Sequence, residues 1–577
     1  MTELRVWAPR ARHGVAVDRG PDSKPLPMTP VGDGWYELDV PDLGPGDDYG
    51  FVVDDRGPFP DPRSAFQPHG VHGPSRLVDH GAFDWTDHDW VGADPRDGII
   101  YELHVGTFSP RGDFDGVVER LDHLVELGVT AVELMPVHEF AGARNWGYDG
   151  VALFAPHHHY GGPDGLRRLV DACHRRGLAV LLDVVYNHLG PEGNYLGVYG
   201  PYFTDFYATP WGEAVNYDRP HSDEVRRFVL DNVTMWLRDY HVDGLRVDAV
   251  QAIVDTSATH LLEEMAVEVE VLQSELGRPL TLIAESDQND PRLCRPRELG
   301  GFGLHAQWSD DFHHALHVTL TGERGGYYAD FEGVHDLARV LEQGWLYTGQ
   351  RSEHRHRRHG RPPEGLTGRN LLGYCQNHDQ VGNRAVGDRL GATLGDGRLR
   401  IAAALVLTSP FVPMLFQGEE WGSRTPFLYF TDHQDPELGR AVAQGRRSEW
   451  AAFGWDPDLV PDPQDPATFE RSILTWSELG EPAHSAMLDW YRRLIALRRS
   501  RPELQAGELS ARAEVAPDGS WLRIERGGLD VVVNLADHPQ EVPARAGAVL
   551  LGSGDVEPAR PPAGALSMGP ESVAVVG

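Results

Sequence analysis

From residue 99 to residue 416 the chain alternates short, nearly continuous apolar runs with longer stretches whose apolar residues recur at helical spacing. The runs begin at Ile99, Val129, Leu178, Gly244, Leu280, Leu304, Leu371 and Phe411. Between the first two, Val117, Leu121, Leu124 and Leu127 fall on one helical face, which predicts a single helix over 114–127 stopped by Gly128. The same reading predicts helices over 165–176, ended by Gly177, and over 224–240 and 259–276. Strands apolar on both faces need cover on both faces, which a parallel sheet wrapped in helices supplies. Eight strand–helix units predict an α/β chain built on a closed (β/α)8 barrel.

The flanks read differently. Residues 1–90 carry short alternating runs, among them Leu4 to Trp7, Val15 to Val17, Trp35 to Val40 and Tyr49 to Val53, broken by Gly, Pro and Asp. They predict an N-terminal β-sandwich ahead of a barrel domain over 91–480. Residues 54–78, rich in Pro, Gly, Arg and Asp, read as irregular chain. A helix near 485–500 and short runs such as Trp521 to Ile524 and Val531 to Val533 predict a C-terminal β-domain over 481–577. A formal charge of −35 over 577 residues repels nucleic acid and anionic membrane surfaces, so neither is an expected partner. No apolar run reaches spanning length, and Met1 to Trp7 leads straight into a strand pattern, so the cytoplasm is the expected location. Cys173, Cys294 and Cys375 are too scattered for a disulfide framework or metal spacing. The sequon at Asn232 is read as chance, and the basic run Arg351 to Gly360 as a solvated loop.

The polar residues that interrupt this pattern fall at strand ends, where barrels of this type carry their chemistry. The third strand runs out into Asp183-Val184-Val185-Tyr186-Asn187-His188, the fourth into Arg246-Val247-Asp248, the fifth into Glu285-Ser286-Asp287 and the seventh into Gln376-Asn377-His378-Asp379. Arg246 and Asp248, two apart on a strand, share a face, and a guanidinium there keeps a carboxylate ionised and aimed. A buried ion pair serving the fold alone would suffice for one such pair. Carboxylates gathered at several strand ends repel one another and cost desolvation, which points to function. Two carboxylates across a pocket cleave glycosidic bonds, one attacking the anomeric carbon and one protonating the leaving oxygen. Asp248 fits the nucleophile and Glu285, beside other negative charge, the acid. Asp379 is placed to stabilise positive charge on the ring, with His188 and His378 as donors to the sugar. His157-His158-His159 reads as a polar loop, and neither a metal nor a cofactor is expected.

The segments Asp183 to His188, Gly244 to Asp248, Ala284-Glu285 and Asn377-His378-Asp379 resemble, in order and spacing, the four signature regions of the α-amylase family of glycoside hydrolases. The resemblance spans roughly residues 99–480 and implies a retaining mechanism, with Asp248 as nucleophile, Glu285 as acid/base and Asp379 as transition-state stabiliser. It also implies that Arg246, Asp183, His188 and His378 line the subsite of the attacked glucose, and that Tyr148 of Trp146-Gly147-Tyr148-Asp149 stacks on it. The N-terminal sandwich resembles the carbohydrate-binding-like module of branching and debranching enzymes. The segments Asp310 to His317, Leu320 to Glu323, Phe416 to Gly422 and Phe430 to His433 resemble the branch of the family that hydrolyses maltooligosyl trehalose and releases trehalose. That branch implies maltooligosyl trehalose as substrate and functional pairing with a maltooligosyl trehalose synthase. Its leaving-group subsites must fit a bent 1,1-linked disaccharide. Asp287, Asn289, Asp310 and His313, past the fifth and sixth strands, are the candidates, against the plainer reading of loop polarity. No dense Asp/Asn loop calls for Ca²⁺. A glucan branching enzyme would use the same triad with a sugar 6-hydroxyl as acceptor. An α-amylase fits less well, and a non-catalytic glycan binder would have lost members of the triad.

Overall fold

A computed structural model describes residues 2–451, 459–558 and 564–577. The eight apolar runs form a closed barrel of parallel strands: β1 (Ile100–Leu103), β2 (Ala131–Leu134), β3 (Ala179–Val184), β4 (Gly244–Val247), β5 (Thr281–Ala284), β6 (Ala306–Trp308), β7 (Leu371–Gly373) and β8 (Val412–Phe416). Each strand pairs with the next, and β8 closes on β1 with Met414 opposite Ile100. Nearly every strand residue is buried, which is what near-continuous apolarity predicts for a sheet covered on both faces. Pairing stops at Val247 and Ala284, so Asp248 and Glu285 stand one residue beyond the ladder.

The helices fall at Gly162–His174, Ser222–Asp239, Leu261–Leu276 and Pro482–Ser500, close to expectation. The single helix expected over 114–127 is instead two, Phe114–Val118 and Leu121–Leu127, broken at Glu119 and Arg120. Val117, Leu121, Leu124 and Leu127 are all buried across the break, so apolar spacing carries no trace of it. Gly128 ends the second piece at φ 97°, a left-handed cap suited to glycine.

Ahead of the barrel, Thr2–Trp7, Trp35–Val40 and Thr29–Gly32 make one antiparallel sheet. Val15–Asp18 and Asp48–Val53 centre a second. This unit meets the barrel through Trp7, whose ring packs edge-on against Tyr202 at 5.3 Å, and through Tyr199, whose hydroxyl donates to the Pro60 carbonyl at 2.8 Å. After the last long helix, Arg512–Val515, Trp521–Arg526, Leu529–Asn534, Ser572–Val576 and Val549–Gly552 form a five-stranded sheet, accompanied by a three-stranded one.

The basic run is not a loop. Thr348–Ser352 and Arg357–Gly360 pair as an antiparallel hairpin, Arg355 reaches Asp287 Oδ2 at 2.8 Å, and the buried His359 bonds the Asp287 carbonyl at 2.8 Å. Asn232 is fully buried, holding the Tyr186 hydroxyl and the Trp236 indole, which agrees with reading its sequon as chance.

The residue before β4 shows what a purely architectural carboxylate looks like here. Asp243, fully buried at the barrel's N-terminal end, accepts from Trp90 Nε1, Arg278 Nη1 and the Val180 amide at 2.8 Å each, and meets His174 Nε2 at 2.9 Å. Asp243→Ala leaves buried donors on four sides without their acceptor. It is expected to cost about 3–5 kcal/mol of stability, seen as a lowered denaturation midpoint, with turnover intact where the chain stays folded.

Candidate active site

Asp183, Arg246 and the residues just past β4 and β5 meet at the C-terminal mouth of the barrel. Arg246 is fully buried, and its guanidinium carbon lies 4.3 Å over the Trp308 ring at the end of β6. Its Nη1 donates to Asp248 Oδ1 at 2.7 Å and to both Asp183 oxygens at 2.9 and 2.8 Å. The other Asp248 oxygen accepts from Asn187 Nδ2 at 2.7 Å. The alternation that puts Arg246 and Asp248 on one face of the strand therefore also fixes where the Asp248 carboxylate points.

Glu285 follows β5 and lies 3.9 Å from Arg246 Nη2. Its Oε2 accepts from the Ala249 amide at 2.6 Å. Ala249 adopts φ 37°, a left-handed conformation that side-chain-bearing residues take at a cost of about 1–2 kcal/mol. That strain aims the amide at Glu285. Burial raises the Glu285 carboxyl well above the ordinary range; Arg246 opposes the shift, and Asp248, Asp379 and Asp310 add to it. The site thus sets a carboxyl that gives up its proton less readily than usual beside one tied to a guanidinium, a pairing of the kind glycoside hydrolysis uses.

The third carboxylate, Asp379, sits in the first turn of a short helix, His378–Gly382, capped by Asn377. It accepts from Asn383 Nδ2 at 3.0 Å and lies 3.5 Å from His378 Nε2. Glu102 of β1 holds His378 from below: Oε1 accepts from Nδ1 at 2.5 Å and Oε2 from the His378 amide at 2.9 Å. Burial alone would discharge this imidazole, but Asp379 and Glu102 outweigh it and lift His378 to about 9. The Tyr148 hydroxyl donates to Asp183 Oδ2 at 2.6 Å and lies 2.8 Å from His378 Nε2, with the two rings stacked at 5.3 Å. Burial, with the Asp248 charge added and Arg246 opposing, pushes Asp183 to about 6. His188 lies between the Tyr148 carbonyl, 3.0 Å from Nε2, and the Asn187 side chain. Asp248, Glu285, Asp379, Tyr148, Asp183, Arg246, His188 and His378 thus form one connected cluster.

The leaving-group candidates divide. Asp310 accepts from the Tyr374 hydroxyl at 2.5 Å, and burial with neighbouring Asp287 and Asp379 pushes it to about 7. Asp287 is part-exposed and held by Arg355. Asn289 turns inward at φ 53° to donate to Asp311 at 2.7 Å, a supporting position. His313 lies a layer deeper than expected: it is buried, stacked behind Tyr374 and 3.0 Å from the Tyr328 hydroxyl. It faces a cavity of about 210 Å³ shared with Glu323 and Arg384.

Several residues at the site escape the sequence reading. Glu102 is visible only as a carboxylate inside an apolar strand. Trp211, half-exposed in the turn between Phe203–Thr209 and Gly212–Val215, stacks on His188 at 4.2 Å. Trp308, against Arg246, and Tyr374, bonded to Asp310, meet edge-on at 5.5 Å. Elsewhere, His157 and His158 are not simply loop residues: both imidazoles turn onto the Glu139 carboxylate.

A family model described as the α-amylase catalytic domain matches residues 80–200. The malto-oligosyltrehalose trehalohydrolase of Arthrobacter ramosus is 54% identical over 94% of this chain and 95% of its own. A crystal structure of a Salmonella typhimurium protein, described as a candidate α-amylase, superposes with a TM-score of 0.90 at 39% identity, covering 100% of this chain and 97% of that one. A 1,4-α-glucan branching enzyme of Corynebacterium jeikeium is much further off, 28% identical over 72% of this chain and 60% of its own.

Proposed function

Because this chain belongs to the malto-oligosyltrehalose trehalohydrolases, within the α-amylase family of glycoside hydrolases, we propose that Asp248, Glu285 and Asp379 perform a retaining hydrolysis at the barrel mouth. The enzyme is a glycosidase that cleaves the α-1,4 bond next to the terminal trehalose of maltooligosyl trehalose and releases trehalose. The observation that carries the roles is the single buried guanidinium of Arg246, 2.7 Å from Asp248 and 3.9 Å from Glu285, beside a Glu285 whose proton is held.

Asp248 attacks the anomeric carbon as Glu285 donates its proton to the glycosidic oxygen, and trehalose leaves carrying that proton. The glycosyl ester on Asp248 is then opened by water, which gives a proton back to Glu285. Asp379 stabilises positive charge on the ring during both steps. Tyr148 presents an aromatic face to the sugar, and Asp183, Arg246, His188 and His378 hold its hydroxyls. Asp310 and Asp287 flank Glu285 on the leaving-group side, where trehalose must fit, with His313 supporting Tyr374 from behind. The same reading makes the enzyme cytoplasmic, places it in trehalose biosynthesis after a maltooligosyl trehalose synthase, and gives it no nucleic-acid or membrane partner. The charge of −35 supports the last point. Among the described residues, no helix is long and apolar enough to cross a membrane. By domains, residues 1–90 form a carbohydrate-binding-like module, 91–480 the catalytic barrel and 481–577 a C-terminal helix and β-domain.

Maltopentaosyl trehalose, incubated with the pure enzyme, is expected to give free trehalose, with slow attack on maltoheptaose and amylose. Anomeric NMR of fresh product should show the α form at the new reducing end. Initial β product would remove Asp248 as nucleophile. New α-1,6 branches in amylose without trehalose would move the enzyme to the branching reaction.

A further inference from the structure

A second cluster of chemistry-bearing side chains lies outside the catalytic pocket. Glu139 ends the short strand His138–Glu139, which pairs antiparallel with Ala152–Pro156; His157 and His158 follow that partner directly. The His157 amide donates to the Val137 carbonyl at 2.7 Å, which locks the two segments together. Glu139 Oε1 lies 2.7 Å from His158 Nδ1 and 3.2 Å from His157 Nδ1, and one ligand atom from each residue falls within 4.8 Å of the others. Glu139 and His157 are fully buried, and the His158 ring is 21% exposed.

An internal hydrogen-bond network does not account for this arrangement. His157 is buried with Nδ1 3.2 Å from Glu139 Oε1, yet neither of its ring nitrogens has a hydrogen-bond partner. A buried, unsatisfied polar group of this kind costs about 1–3 kcal/mol and is rare in folded proteins. A cation explains it. Two imidazoles and one carboxylate are a donor set for zinc(II), which takes three protein ligands and completes its tetrahedron with water. The carboxylate is oriented for this task, since Oε2 accepts from the His158 amide at 2.9 Å while Oε1 faces both rings. The His158 side chain is part-exposed, so the cluster is not sealed from solvent.

We propose that Glu139, His157 and His158 form a zinc(II) site. It lies at the base of the loop 140–151, which carries Tyr148 into the catalytic pocket, so the bound ion ties down the two strands from which that loop springs. Binding is plain coordination, with no change in oxidation state; any proton on His157 or His158 is released to solvent.

The test uses the full chain, stripped with a chelator and titrated with cobalt(II) as the spectroscopic probe and zinc(II) as competitor. The wild-type chain is expected to develop the visible ligand-field bands of four-coordinate cobalt at micromolar metal, to lose them to zinc, and to retain one more zinc per chain than the variants. Zinc should raise its melting midpoint by about 2 °C or more. Glu139→Gln and His158→Ala should each weaken the site at least about tenfold and abolish the shift. The near-isosteric Glu139→Gln decides the matter if His158→Ala does not fold. Absence of the bands in the wild type, equal metal uptake by Glu139→Gln, or stabilisation by calcium in place of zinc would overturn the proposal.

Discussion

Replacing Asp248 by Asn is expected to lower kcat/KM for maltooligosyl trehalose by about 10⁴-fold or more while the chain stays folded and still binds substrate. The substitution keeps the volume of a side chain that is nearly buried. An amide oxygen still accepts from Arg246, and Arg246 keeps both oxygens of Asp183. What is lost is the carboxylate oxygen proposed to form the glycosyl ester, together with the bond from Asn187 Nδ2, which meets an amide instead of a carboxylate. One imperfect hydrogen bond at a buried site costs about 1–3 kcal/mol, too little to unfold the barrel. Circular dichroism and a melting midpoint near that of the wild type are the controls, and calorimetric titration with substrate checks binding. Near-normal turnover would strip Asp248 of the nucleophile role. Unfolding would favour the architectural ion pair, the role that Asp243 fills at the other end of the same strand.

That contrast shows how far a sequence of this kind can be read. The eight strands are legible because burial on both faces forces apolar continuity, and the polar residues that gather at the barrel mouth because charge at the end of such a strand is costly without a task. Arg246 and Asp248 are found as a pair because strand alternation is a local rule. Partners distant in the chain are not found this way. Glu102 in β1 and Glu133 in β2 look alike in sequence, each a carboxylate within an apolar run. Glu102 holds His378, 276 positions away, while both Glu133 oxygens are buried without a hydrogen bond. The left-handed Ala249 has no sequence mark, since glycine is the residue that φ 37° favours. Trp211 reaches His188 from a hairpin inserted ahead of the helix Ser222–Asp239, and Glu139 reaches His157 and His158 across a strand pair; neither spacing is periodic. The run Arg351 to Gly360 carries loop-like composition, yet its hairpin folds back onto Asp287 because an Arg and a His find a carboxylate and a carbonyl there.

Glu285→Gln is expected to lower turnover of maltooligosyl trehalose by about 10³-fold or more, and to do so unequally across leaving groups. Trehalose departs as a sugar alkoxide unless the glycosidic oxygen is protonated, so the first step depends on the Glu285 proton. Fluoride leaves without one. A maltooligosyl fluoride should therefore form the ester on Asp248 at a rate close to that of the wild type and then stall, because the second step lacks the base that activates water. Added azide, which needs no deprotonation, should release the stalled sugar as the α-azide. The pH profile gives an independent reading. Burial raises the Glu285 carboxyl well above 4.5, against the pull of Arg246 and with the help of Asp248, Asp379 and Asp310. The acid form is the active one for bond cleavage, so kcat/KM should hold to a higher pH than an ordinary carboxylic acid allows and fall as pH rises through the shifted value. In Glu285→Gln the residual activity should lose that alkaline limb. Equal losses on trehalose and fluoride leaving groups, with the limb retained, would assign the proton to another group, for which Asp310, pushed to about 7 by burial, is a candidate.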